Sequence, residues 1–277
     1  MSFVQTCALR RRGRWAVVAG TLSSLLLGGA VTAPGAGADP AAPTAGGYVA
    51  LGDSYSSGVG AGSYDPGSGG CKRSTRAYSA LWAAAHSTAS FSFAACSGAN
   101  TGDVLSSQLG ALDSATSLVS LTVGANDAGM ADTMTTCVLQ GERACLARIA
   151  KARAYIDNTL PGKLDQVYDA IGAKAPSARV VVLGYPRLYK LGVPCSDLSE
   201  KSRKAINDTA DDIDAVTAKR AADHGFSFGD VNSTFTGHEL CSGSPWLKSV
   251  TVPVDESYHP TASGHSNGYL SVFDSAT

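Results

Sequence analysis

Apolar positions come in two rhythms along this chain. Tyr48–Leu51, Phe91–Ala95, Leu118–Val123, Arg179–Leu183 and Phe226–Val231 are short apolar runs rich in Val, Leu and Phe. Small or polar residues end the first three, and Gly184-Tyr185-Pro186 ends the fourth. Runs of this length and composition predict buried strands. Between them the spacing changes to that of a helix. Thr75–His86 places Tyr78, Leu81 and Trp82 on one face. Val104–Leu112 predicts a short helix, and Leu146–Ala173 a longer one bent at Pro161-Gly162. Leu198–His224 predicts a long amphipathic helix, with Ser196 or Asp197 as its cap. Thr261–Phe273 predicts a final helix, introduced by Pro260. Ala131–Cys145 reads as irregular and Thr234–Tyr258 as mostly loop.

Strands that alternate with helices predict a parallel sheet covered on both faces. The expected fold is therefore α/β, three layers α/β/α, around a five-stranded parallel sheet. In such a sheet the loops after the strands share one edge, where ligands and reacting groups gather. Three loops there are small and polar: Gly52-Asp53-Ser54, Cys96–Thr101 and Gly124–Asp127. This is why Ser54, Gly98 and Asn126 can converge although far apart in the chain. Ser54 follows the first strand directly and is read as a nucleophile.

The amino-terminal residues stand outside this pattern. Arg10, Arg11, Arg12 and Arg14 precede an apolar stretch, Trp15–Ala30, and Ala36-Gly37-Ala38 fits a cleavage site. Residues 1–38 are expected to be a secretory signal peptide. Residues 39–47, rich in Pro and Ala, are expected to be a disordered lead-in, and 48–277 a single domain. The net charge is -1, with 44% hydrophobic and 16% charged residues. That composition suits a packed domain and argues against nucleic acid as a partner. Beyond Cys7, six cysteines remain, and an even number in an exported chain implies disulfides. Pairing between sequence neighbours is the simplest arrangement: Cys71-Cys96, Cys137-Cys145 and Cys195-Cys241. The chain contains neither C-x-x-C nor H-E-x-x-H, so no metal site is expected.

A serine nucleophile needs a base for its proton and donors for the oxyanion it creates. Of the five histidines, His86 and His224 fall at helix ends, His238 in a cysteine-containing loop and His265 inside the last predicted helix. His259 lies in a loop immediately before Pro260, which holds it at a helix entrance. It is the candidate base, with activity expected to rise around the ordinary imidazole pKa of about 6.5.

Four blocks stand in order: G-D-S-Y at Gly52–Tyr55, C-S-G-A at Cys96–Ala99, G-A-N-D at Gly124–Asp127 and Y-H-P at Tyr258–Pro260. Together they resemble the SGNH (GDSL) hydrolases, most closely the secreted bacterial lipase/esterase branch. The G-H-E-L-C…P-W run at Gly237–Trp246 resembles that branch as well. The resemblance covers Tyr48 to the carboxyl terminus. It implies a flavodoxin-like SGNH hydrolase fold, with Ser54 as nucleophile and His259 as general base. It also implies an oxyanion hole of the Ser54 and Gly98 main-chain N–H groups and the Asn126 side-chain amide. Many members carry Asp three residues before the histidine, where this chain has Glu256. Others orient the ring with a main-chain carbonyl, here that of Ser257. The Ser257 carbonyl is preferred, with Glu256 as the alternative. The G-x-S-x-G elbow of α/β-hydrolases is absent, because position 56 is Ser56.

The function implied is that of a secreted, extracellular serine carboxylic-ester hydrolase: a lipase or esterase, or a phospholipase. Its partner is an acyl-ester substrate, with no cofactor and no stable membrane span after signal cleavage, and it is expected to be a monomer. The alternative is a carbohydrate acetyl esterase using the same site. The acyl pocket is expected from the loops Gly58–Gly70, Ala128–Cys145 and Tyr185–Cys195. Met130, Met134, Leu188, Tyr189 and Leu191 are its candidate apolar lining, or else ordinary core.

Overall fold

A computed structural model of the protein describes residues 46–195 and 198–277. The expected signal peptide, most of the lead-in and the candidate caps Ser196 and Asp197 lie outside the described residues. Five strands form one parallel sheet: β1 (Gly47–Gly52), β2 (Ser90–Phe93), β3 (Thr116–Thr122), β4 (Arg179–Leu183) and β5 (Ser227–Gly229). Their order is β2-β1-β3-β4-β5. Strand β1 begins at Gly47, inside the expected lead-in.

Both faces of the sheet are covered, and β1 and β4 are apolar on both sides, while β3 also buries Ser120 and Thr122 and β2 alternates Ser with Phe. Val49 and Leu51, Val119 and Leu121, and Val180 and Val182 face one way. They pack on Leu160, Leu164, Val167 and Ile171 of α5 (Leu160–Lys174). Tyr48 and Ala50 face the other way, as do Val181 and Leu183. They pack with Tyr78 and Trp82 of α2 (Tyr78–Ala85) and Phe273 of α8 (Leu270–Ala276). This double burial is why the strands read as continuous rather than alternating apolar runs.

The helices depart from the sequence pattern in four places. Ala131–Cys145, read as irregular, belongs to the long helix α4 (Met130–Asn158). Its backbone breaks helical geometry at Gly141, φ +77°, and Cys137 bonds Cys145 across that break. The tertiary tie holds helix where the local apolar period is weak. The chain breaks at Thr159 rather than bending at Pro161-Gly162. Pro161 is the second residue of α5, where a missing N–H leaves no helical bond unmade. Helix α6 (Glu200–Asp223) is capped by Ser199, whose Oγ accepts from the Ser202 N–H at 3.2 Å. The predicted final helix contains a wide π turn over Gly264–Tyr269 before α8. Two short helices, α1 (Ser54–Ser57) and α3 (Thr101–Asp103), follow β1 and β2, and α7 (Asn232–Phe235) follows β5.

Strand β1 has β2 on one side and β3 on the other. The connections therefore leave β1 and β3 in opposite directions, which opens a crevice beyond their carboxyl ends. Ser54 begins α1 at that point, and Gly124–Asp127 follows β3 beside it. Disulfides join Cys71 to Cys96, Cys137 to Cys145 and Cys195 to Cys241. The first ties the loop before α2 to the one that carries Gly98.

Candidate active site

The last strand residue, Gly52, is gripped by Gln108. The Gln108 amide accepts from the Gly52 N–H at 2.7 Å and donates to its carbonyl at 2.9 Å. Asp53 then caps α1, its Oδ1 accepting the Tyr55 N–H at 2.9 Å. Ser54 is the first residue of α1, so its own N–H has no acceptor within the helix. Its side chain is buried but meets His259, whose Nε2 lies 2.7 Å from the Ser54 Oγ.

The opposite ring nitrogen of His259, Nδ1, lies 3.0 Å from the Ser257 carbonyl. A carbonyl only accepts, so Nδ1 carries the proton and Nε2 presents its lone pair to the serine hydroxyl. Burial drives the His259 pKa down to about 4; the Ser257 carbonyl and the nearby Asp255 and Glu256 charges oppose this only partly. The expected value near 6.5 is thus moved down by desolvation.

Glu256 does not reach the ring. Its Oε1 accepts from the Tyr64 hydroxyl at 2.8 Å, and its Oε2 is paired with Lys248. Burial pushes this carboxyl up, but Lys248 and Tyr64 outweigh it and hold the group below its ordinary value. The His259 loop is held by backbone pairing with the segment around Lys248. The Lys248 N–H donates to the His259 carbonyl at 2.9 Å, and the Tyr258 N–H to the Lys248 carbonyl at 2.8 Å. The Tyr55 hydroxyl donates to the Tyr258 carbonyl at 2.6 Å, and its ring packs 5.2 Å from that of His259.

Gly98 is solvent-exposed, with φ +80°. A Cβ there would meet no protein atom within 4 Å, so the constraint is the left-handed backbone rather than space. The Asn126 amide donates one hydrogen to the Ala99 carbonyl at 2.9 Å, joining the Gly98 loop to the loop after β3. An amide nitrogen has a second hydrogen to offer. Asp127 reinforces the junction: it accepts from the Thr101 N–H at 3.0 Å and from the Thr101 hydroxyl at 2.6 Å.

Of the two readings offered for the apolar loop residues, ordinary core holds for most. Met134, Leu188 and Tyr189 are buried in the core. Tyr185, at the start of one expected pocket loop, is buried beneath the site with its hydroxyl on Asp53. Leu191 is exposed and Met130 is packed at the core margin. Sequence reasoning missed Gln108, Tyr64, Tyr185 and Lys248, and named Tyr55 only as part of G-D-S-Y. Gln108, Tyr55, Tyr64 and Tyr185 act on partners 56 to 203 positions away, and Lys248 on one eight away with no motif to announce it.

A sequence profile of the GDSL-like Lipase/Acylhydrolase family matches residues 50–266, which takes in Ser54, Gly98, Asn126 and His259. The chain belongs to this family. Among GDSL-like relatives, it is 70% identical to a protein of Streptomyces rimosus named Lipase, over 94% of this chain and 98% of the relative. It is 65% identical to Lipase 1 of Streptomyces coelicolor, over 93% and 97%. The crystal structure of a phospholipase A1 from Streptomyces albidoflavus superposes with a TM-score of 0.83 at 63% identity, covering 84% of this chain and 100% of that one. An acetyl-xylooligosaccharide esterase from Geobacillus shares the GDSL-like fold, with a TM-score of 0.53 at 16% identity over 84% of this chain and 94% of that one.

Proposed function

We propose that this carboxylic-ester hydrolase works through an acyl-enzyme on Ser54, with His259 as general base. One observation carries the reading: the His259 ring bonds the Ser54 hydroxyl through Nε2 while Nδ1 is held by the Ser257 carbonyl. As the Ser54 oxygen attacks the ester carbonyl, its proton passes to Nε2. The Ser257 carbonyl fixes the tautomer, although it stabilises the imidazolium less than a carboxylate does. The Ser54 and Gly98 N–H groups and the Asn126 amide then hold the oxyanion. Losing one such donor typically costs about 3 kcal/mol of barrier. His259 next protonates the leaving alcohol, and a water activated by the same ring releases the acid.

The substrates are acyl lipids. The names of the S. rimosus, S. coelicolor and S. albidoflavus relatives support this reading, all at more than 60% identity. The polysaccharide alternative is represented by acetylxylan-type esterases at 16% identity, a likeness that speaks for the fold alone. We further propose export of one catalytic domain, 48–277, after removal of residues 1–38. The three cysteine pairs support this, and no helix among the described residues is long and apolar enough to cross a membrane.

A series of p-nitrophenyl esters from acetate to palmitate tests the reading. Medium or long chains should be turned over, and a sharp optimum at acetate would instead favour the carbohydrate esterase. Ser54→Ala and His259→Ala should each lower kcat by roughly four to six orders of magnitude. Glu256→Gln should keep most of kcat. A thousand-fold loss there would reassign the orienting role to the carboxylate.

A further inference from the structure

Beyond Asp53 the backbone pairing of β1 with β3 stops. Its last bond is from the Asp53 N–H to the Thr122 carbonyl, at 2.9 Å. The Ser54 turn and the Asn126 loop then continue without a shared ladder, yet both must aim donors at one oxygen. A side chain from a third strand loop closes the gap. Tyr185, two residues after β4, donates its hydroxyl proton to Asp53 Oδ2 at 2.5 Å. The Tyr185 phenol oxygen in turn accepts the N–H of Ala125, the neighbour of Asn126, at 3.2 Å. The other carboxyl oxygen of Asp53 caps the helix that Ser54 begins.

The phenol is itself immobilised. Its backbone N–H donates to Asp214 Oδ1 at 2.8 Å, and Asp214 is buried. Its ring meets Tyr55 edge-on at 5.1 Å. Both Tyr185 and Asp53 are buried, at 5% and 1% exposure, so water is a poor substitute for either bond. One continuous chain of bonds thus runs from the Ser54 helix through Asp53 and Tyr185 to the backbone beside Asn126.

We propose that Tyr185, together with Asp53, is a positioning residue that sets the spacing between the Ser54 turn and the Asn126 amide in the oxyanion hole. This rests on the roles proposed above for Ser54 and Asn126. Donors preorganised for an oxyanion lose their effect when displaced by a fraction of an ångström. The phenol therefore acts on turnover through Asn126, not by touching substrate.

A double-mutant cycle on kcat for p-nitrophenyl butyrate tests it, using wild type, Tyr185→Phe, Asn126→Ala and the double variant. Tyr185→Phe should lower kcat roughly ten-fold with KM changed by less than about two-fold. In the Asn126→Ala background the same change should cost less than about two-fold, because the donor it positions is gone. Full multiplication of the two losses would overturn the proposal, as would an unchanged kcat in Tyr185→Phe. A normal kcat in Asn126→Ala would sink both the relay and the donor role. A large loss there with independent effects would sink the relay alone. Should Tyr185→Phe fail to fold, Asp53→Asn replaces it in the same cycle. Its amide oxygen still caps the Tyr55 N–H, while its NH2 cannot accept the Tyr185 proton. Near-ultraviolet circular dichroism on each variant separates lost packing from lost positioning.

Discussion

At the scale of single residues, the ring of His259 decides the pH dependence. Desolvation disfavours its charged form and brings its pKa to about 4. In the proposed mechanism the neutral ring accepts the Ser54 proton, so activity should be present above that pKa and lost as pH falls through it. The acid limb of kcat/KM for a short soluble ester should therefore be half-maximal near pH 4, measured at constant ionic strength. A midpoint near 6.5 would mean that the ring is solvated in the free enzyme. The neighbouring carboxylate illustrates what a sequence cannot display. Glu256 stands where an orienting acid is common in the family, but Tyr64 and Lys248 take both its oxygens. Tyr64 is 192 positions away in the chain, so nothing near Glu256 announces the contact.

At the scale of elements, one glycine supports the base from below. Gly60 has φ +91°, and a Cβ on it would stand 2.6 Å from the Pro260 carbonyl and 2.9 Å from the His259 Cβ. Both the backbone conformation and the space demand glycine here. Gly60→Ala should push the His259 loop off the serine and lower kcat roughly ten- to a hundred-fold. Its stability loss should be on the order of 1–3 kcal/mol. Steady-state kinetics and urea unfolding measure the two, and an unaffected kcat would show that the loop can give way. The Gly/Ser-rich stretch after Ser54 was legible only as a pocket loop, because its contact with Pro260 is made in space alone. The first half of helix α4 was illegible for a related reason: the Cys137–Cys145 bond and burial of Met134 hold residues whose own pattern is weak. The short strand runs were legible because burial on both faces leaves an uninterrupted apolar signal.

At the scale of the whole molecule, covalent ties join the loops that build the crevice. Cys71 and Cys96 are 25 positions apart. Closing a loop of that length stabilises the fold by roughly 3 kcal/mol in the chain-entropy account. The paired change of Cys71→Ser and Cys96→Ser should lower Tm by roughly 5–10 °C in calorimetry. A shift below about 2 °C would show that the tie serves loop geometry rather than stability.

The alternation of strands and helices, the candidacy of Ser54 and His259 and the resemblance to the family were legible in the linear sequence. Each depends on a pattern that local physical chemistry imposes: apolar runs for buried strands, proline at a helix entrance, small residues where a backbone turns sharply. Only the tertiary structure decided which group bonds the second nitrogen of His259, which side chains are core, and that Tyr185 joins the Ser54 turn to the loop after β3. Those outcomes arise from distances between residues tens to hundreds of positions apart. Strand order sets such distances, and no local pattern encodes them.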